Sequence, residues 1–329
     1  MCNRSQRDYD ICSINSPIVL DPKKPIVYVI GQNYSAQVEN IKPYPRKWDV
    51  YRMAHIKELT LTSAPSSPPC TAQHNTTALV FSVGGYTGDF FSDFIDEFIP
   101  LFITVRSISP SNDIILVISN ARDWWLWKYG DLLRSFSKHP IITLDNDTTT
   151  RCFPSATVGL LSLGSMSPKL GPIPNSEIIL DFHALLEKTY GRYPRSFTSQ
   201  KVRPQLVLIG RKDAIGRRIL NQAEVKKAIE EEGFDVIDFE PKYATTMQEA
   251  FGIVSSSHGM VGVYGAGLTH LLFLRPNSVF MQVVPIGTGW MAELCFGKLA
   301  RGMGLEYIEY KIGVEESSLL EITMEVNWC

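Results

Sequence analysis

The sequence predicts an α/β protein of two doubly wound, Rossmann-like units. Apolar runs of four to six residues alternate with amphipathic helical stretches along most of the chain. The alternation is cleanest from Gln205 onward, where strand follows helix without a break as far as residue 310. A chain of 329 residues with 44 % apolar content is long enough to bury two cores. Strands separated by helices of this length return in the same direction, so the sheets they form are parallel.

Taken in order, residues 1–24 are rich in Ser, Asp, Asn and Pro and read as an irregular N-terminal arm. Residues 25–190 read as a first Rossmann-like domain. It opens with a buried strand, PIVYVI (25–30), and continues through a loop with three prolines (63–77). A strand over 78–83, a helix over 89–106 interrupted at Pro100, a strand over 114–118, a helix over 124–136, a strand over 141–144 and a helix over 178–190 complete it. Residues 191–204 read as the linker and 205–329 as a second Rossmann-like domain. In that domain QLVLI (205–209) is the first strand, and Asn221 followed by Glu224 gives the capping signal of a helix over 221–232. Strands at 235–239, 260–263, 279–284 and 305–310 enclose helices at 245–256, 267–274 and 290–302. Two such units imply a cleft between them.

Bulk charge excludes one class of partner. With 32 Lys and Arg against 34 Asp and Glu, the chain has no basic excess for a phosphate-rich surface, so nucleic acid is not expected. There is no apolar run of membrane-spanning length, and Met1–Asp8 is polar and lacks the apolar stretch of a signal peptide. Two features point to the secretory pathway nonetheless. Asn-x-Ser/Thr triplets occur at Asn3, Asn33, Asn75 and Asn146. Six cysteines without a CxxC pair read either as free thiols or as one or two disulfides, with Cys2–Cys12 the easiest closure.

Ligands of open parallel sheets bind at the carboxyl ends of the strands. Two loops there stand out. Gly210-Arg211-Lys212 and Gly216-Arg217-Arg218 follow the strand 205–209, and Arg211, Lys212 and Arg218 can grip phosphate oxygens. Tyr264-Gly265-Ala266-Gly267-Leu268-Thr269 follows the strand 260–263 and runs into a helix whose first N–H groups suit an anion. Together they make a diphosphate site; separately, the first reads as solvated surface and the second as a packing turn. Neither fits GxxxxGK[ST] or GxGxxG, which disfavours an ATPase and a dehydrogenase. In the first half, Gly84-Gly85-Tyr86-Thr87-Gly88 opens a helix whose first turns carry Asp93, Asp96 and Glu97. An acid there is either a general base or a helix N-terminal carboxylate. Trp124, Trp125 and Trp127 offer faces for sugar rings or belong to the core. Asp145-Asn146-Asp147 is a literal DxD, but it overlaps a sequon and reads as a surface turn rather than a metal site.

The segments GGYTGDFFSDF (84–94), IPLFITVR (99–106), WWLWKYGDLL (124–133), LDNDTTTRCFP (144–154), GAGLTHLLFL (265–274) and QVVP (282–285) resemble glycosyltransferase family 61, the plant group that decorates xylan with xylose or arabinose. The resemblance runs from Cys2 to Ser318. It implies a GT-B fold, an inverting transfer from UDP-xylose or UDP-arabinofuranose to xylan, no cofactor or metal requirement, and a Golgi lumen location with a membrane anchor outside this sequence. It further implies Asp93 as base, Tyr86, Trp124 and Trp125 on the acceptor, and Arg211, Lys212, Arg218, Tyr264, Gly265, Ala266, Gly267, Thr269 and Trp290 on the donor. Three positions depart from the family pattern: Tyr264 and Ser92 stand where His is usual, and Gly289 where an acid precedes the Trp. The family's C-terminal helical segment has no counterpart in LEITMEVNWC (320–329), so the chain reads as truncated. The departures keep a second reading open, a catalytically inactive member that binds nucleotide-sugar or xylan as a subunit of a Golgi complex.

Overall fold

A computed structural model describes residues 2–31, 38–63, 67–162, 176–191, 203–212 and 214–318. The chain divides into two compact units, Met1–Ser165 and Met166–Cys329. Among the described residues, no helix is long and apolar enough to cross a membrane.

The first unit contains two six-stranded sheets. One has the order Cys2–Asn3, Ile11–Ile14, Ala156–Val158, Ala78–Ser82, Ile115–Ser119, Ile142–Thr143. Its last four strands are parallel and its first two antiparallel. Ala78–Ser82 and Ile115–Ser119 are buried at every residue, as expected of central strands covered on both faces. The pleat divides their side chains. Ala78, Val80, Ile115 and Val117 meet Ile18, Leu20, Val27, Leu59 and Leu61 of the second sheet in one core. Leu79, Phe81, Leu116 and Ile118 are buried on the opposite face, the one left for the crossover helices. The second sheet is mixed, in the order Glu39–Ile41, Leu59–Thr62, Ile26–Val29, Ile18–Asp21, Arg151–Phe153, Ala72–Gln73. This unit is therefore α/β with a second sheet laid on its core face, not the simple doubly wound unit the alternation predicts. Residues 1–24 are not an irregular arm either. Ile11, Cys12 and Ile14 and then Ile18, Val19 and Leu20 supply apolar side chains at strand spacing, and each strand is paired on both sides. Two disulfides, Cys2–Cys12 and Cys70–Cys152, join strands or their flanks, while Cys295 is a buried thiol in neither of them.

The predicted helix over 89–106 extends over Phe90–Ile108 and is not uniformly α. Its residues Asp93–Phe98 form a wide π turn between α segments Phe90–Ser92 and Ile99–Ile108. Phe94 and Phe98, four residues apart on this turn, share one aromatic cluster with Tyr129, while Phe98 stacks on Trp125.

The second unit has one five-stranded, wholly parallel sheet, ordered Asp235–Phe239, Gln205–Ile209, Gly259–Val263, Val279–Val284, Glu306–Lys311. Numbered along the unit this is 2-1-3-4-5, a doubly wound order whose switch point lies between Gln205–Ile209 and Gly259–Val263. Here the predicted strands stand as read. The helix Ser176–Tyr190, assigned from sequence to the first domain, belongs to the second unit. His183 pairs through Nδ1 with the Leu272 carbonyl at 2.9 Å, and Tyr190 meets the rings of Phe251 and Phe273. The boundary thus falls after Ser165, and most of the predicted linker 191–204 lies outside the described residues. The segment predicted as a helix over 267–274 is a 3₁₀ helix, Ala266–Phe273. The Asn221 side chain does not cap its helix; it donates to the Glu224 carboxylate instead.

Candidate active site

At the switch point of the second unit, the parallel register aligns Ile209 with Gly262, so the loops leaving the two strands start side by side. The Arg211 guanidinium crosses this gap and donates through Nη1 to the Tyr264 carbonyl at 3.3 Å. It passes directly over Gly265, where an added Cβ would lie 1.5 Å from Nη1, so only glycine leaves room for the arginine. The two loops singled out in the sequence are thus brought together, and Ala266 and Gly267 begin the 3₁₀ turn beside the guanidinium. Lys212 and Arg218 lie on the exposed part of the same loop, where Arg218 donates to the Lys212 carbonyl and the Lys212 N–H to Glu240. Sequence reasoning missed Arg217: its guanidinium carbon lies 5.3 Å from the centre of the Tyr264 ring. The Arg217-Arg218 pair was the available signal. Thr269 is buried beneath the loop, and its hydroxyl has no hydrogen-bond partner among the described residues. Trp290, on the short helix Gly289–Ala292, is 62 % exposed.

Tyr264 is buried, and its hydroxyl faces sulfur, 3.9 Å from Met291 Sδ and 3.8 Å from Cys295 Sγ. The chain thus has a phenol flanked by sulfur, the Phe296 ring and the Arg217 guanidinium at the position where the sequence reading expects a histidine.

In the first unit, Asp93 opens the π turn and is buried. Tyr129 donates to its Oδ2 at 2.8 Å, Trp125 Nε1 to its Oδ1 at 3.2 Å, and the Gly88 N–H to Oδ1 at 3.4 Å. Burial pushes this carboxyl up to about 6 against the downward pull of those three donors. Glu97 is wholly buried, and neither of its oxygens has a hydrogen-bond partner among the described residues; burial, with Asp93 and Asp96 nearby, raises it well above the usual carboxylate range. Asp96 forms a buried ion pair with Arg46, Nε to Oδ2 2.9 Å. Burial and the neighbouring acids raise the Tyr44 hydroxyl far above its ordinary value. Its ring occupies the space a side chain at Gly85 would need.

The aromatic residues predicted for the acceptor separate. Trp125 is fully buried and serves as a donor to Asp93 and a stacking partner of Phe98, so its ring belongs to the core. Trp124 is half-buried with its ring against Gly88. Tyr86 is half-buried and donates to Asp49 at 2.9 Å. Asp145 accepts from the Ala121 N–H, and Asp147 from the Thr149 N–H and from Arg151, so each carboxylate of the DxD already holds protein groups. Asn3, Asn75 and Asn146 are exposed, and Asn33 lies outside the described residues.

Comparison with known proteins gives a consistent picture. The profile of the family described as Glycosyltransferase 61 matches residues 91–281. The chain is 34 % identical to alpha-1,3-arabinosyltransferase XAT2 of Oryza sativa subsp. japonica, over 98 % of this chain and 56 % of that protein. It is 33 % identical to xylan glycosyltransferase MUCI21 of Arabidopsis thaliana, over 97 % of this chain and 69 % of that protein. It is 35 % identical to beta-1,2-xylosyltransferase XYXT1 of Oryza sativa subsp. japonica, over 90 % of this chain and 64 % of that protein. The chain spans little more than half the length of XAT2, the match covering 56 % of it. The profile covers both the Asp93 helix and the Arg211–Gly265 loops, and on that extent of similarity the chain belongs to the glycosyltransferase 61 family.

Proposed function

We propose that this chain carries the catalytic region of an inverting glycosyltransferase that moves a pentose from a UDP-sugar onto xylan. One observation carries the reading: the Arg211 guanidinium lies across Gly265 at the switch point of a parallel sheet, where such folds hold nucleotides. Arg211, with Lys212, Arg217 and Arg218 from the same loop, would neutralise the diphosphate as it leaves. Preorganised charge of this kind is usually the largest catalytic contribution. Asp93 would accept the proton of the xylan hydroxyl as that oxygen attacks the anomeric carbon and the bond to UDP breaks. A carboxyl pushed up to about 6 is mostly ionised at neutral pH yet basic enough for the task. The arginines supply the positive charge that a divalent ion would otherwise bring, so turnover is expected to survive a chelator. We further propose a GT-B arrangement of the units and a Golgi lumen location. Two disulfides and three exposed sequon asparagines support that compartment.

The sulfur-facing Tyr264 hydroxyl favours a second reading, in which the chain binds nucleotide-sugar or xylan without turnover. Release of UDP from UDP-xylose and UDP-arabinofuranose, with and without xylo-oligosaccharide, separates the two. Acceptor-dependent UDP release is expected from the native chain, with a higher rate from Tyr264→His. Turnover by the His variant alone would establish the binding-only reading for the native protein, and turnover by neither would remove the transferase reading.

A further inference from the structure

Residues 44–53 fold over the glycine-rich loop that precedes Asp93, and they carry an exposed aromatic row. The Tyr86 ring lies under two guanidiniums, Arg52 at 3.8 Å and Arg46 at 4.8 Å from its centre. Arg46 also lies 5.6 Å from the Trp48 ring, and Arg52 5.2 Å from the Tyr51 ring. The series is therefore Trp48, Arg46, Tyr86, Arg52, Tyr51. It is fixed at three points. Asp49 accepts from the Arg52 N–H at the head of the short helix Val50–Met53 and from the Tyr86 hydroxyl, and Arg46 is anchored in its buried pair with Asp96. The cations occupy the Tyr86 ring, so Tyr86 is the support of the row. Trp48 and Tyr51 are 40 % and 69 % exposed, and Val50 between them is 80 % exposed.

We propose that Trp48 and Tyr51, with Arg52 between them, form the platform that binds the acceptor as a neutral β-linked pentose chain. The inference rests on the reading that the protein acts on a polysaccharide. Rigid exposed aromatic faces offer sugar rings an apolar surface at little entropic cost, and Arg52 supplies N–H donors to ring hydroxyls. Arg46 is matched by its buried pair with Asp96, and the Arg52 guanidinium lies over the Tyr86 ring with Asp49 close by, so aromatic faces rather than a cluster of exposed cations dominate the row and suit a neutral chain. The platform also adjoins the chemistry: Arg46 touches both the Trp48 ring and Asp96, and Asp96 shares the six-residue π turn with Asp93.

The test is calorimetric titration of the chain with xylohexaose, without donor, beside Trp48→Ala, Tyr51→Ala and Trp48→Phe, each checked by thermal melting. Both alanine variants are expected to weaken xylohexaose binding about tenfold, about 1.4 kcal/mol each. Trp48→Phe should restore most of the affinity, and UDP binding should be unchanged throughout. Unaltered xylohexaose affinity in both alanine variants, or no binding by the native chain, overturns the inference. Binding that depends on Trp48 and Tyr51 in a chain that transfers no sugar upholds it while removing the transferase reading.

Discussion

Asp93 is held between two opposing effects, and its protonation follows from their balance. Burial disfavours the carboxylate; the donors Tyr129, Gly88 and Trp125 favour it. Its folded value, about 6, lies above that of the unfolded chain, so the group stabilises the fold most in acid and gives up that contribution as pH rises through about 6. Activity runs the other way, since only the ionised form accepts a proton: kcat/KM is expected to fall tenfold per pH unit below about 6. Tyr129→Phe removes one charge-assisted hydrogen bond and should move this acid limb upward by about one pH unit, given about 1.5 kcal/mol for such a bond. A pH profile of the variant with an unmoved limb would take Asp93 out of the base role. The sequence made Asp93 visible because an acid follows a glycine-rich turn at a strand's carboxyl end. It hid the role of Trp125, because Trp124, Trp125 and Trp127 are adjacent. Only the helical spacing of Trp125, Tyr129, Leu132, Leu133 and Phe136, all buried, separates the core tryptophan from the 67 % exposed Trp127.

Among the elements, the paired loops at the switch point are the clearest case of sequence and geometry agreeing. A Gly265→Ala side chain meets the mobile end of Arg211 rather than backbone, so the fold should survive while the guanidinium is displaced. Arg211→Ala and Gly265→Ala are each expected to weaken UDP binding by about 1.5–3 kcal/mol, and the double variant by no more than Arg211→Ala alone. Additive losses by calorimetry would show that the glycine acts independently of the arginine. This site was legible because both loops leave strands whose apolar runs are unambiguous. The strands of residues 1–24 were not: each is short, flanked by Asp, Asn and Pro, and paired with a partner that local pattern cannot reveal. The π turn was equally hidden, since DFIDEF reads as ordinary helix until its two Phe rings and the buried Asp93, Asp96 and Glu97 must all fit beside one sheet.

For the whole molecule, the boundary after Ser165 could not be read because Ile178–Tyr190 is a good amphipathic helix that fits either neighbour by composition; its contacts with Leu272 and Phe251 assign it. The disulfides are the long-range constraints composition left open. Cys70–Cys152 spans 82 residues and Cys2–Cys12 spans 10, so chain-entropy arguments give the former the larger effect, about 4.5 kcal/mol against about 2.7. Reductant should therefore lower the melting temperature, and Cys70→Ser with Cys152→Ser should lower it more than Cys2→Ser with Cys12→Ser; equal or absent shifts would contradict this. The pairing of Ile14 with Ala156 also has a consequence for synthesis. The first strands emerge from the ribosome long before their partner does. At about 5–20 residues per second they wait roughly 7–28 s for it. Throughout that interval an apolar segment and an unpaired strand edge stay open to chaperones or to a neighbouring nascent chain. The strand Ile11–Ile14 is thus made well before the segment that encloses it.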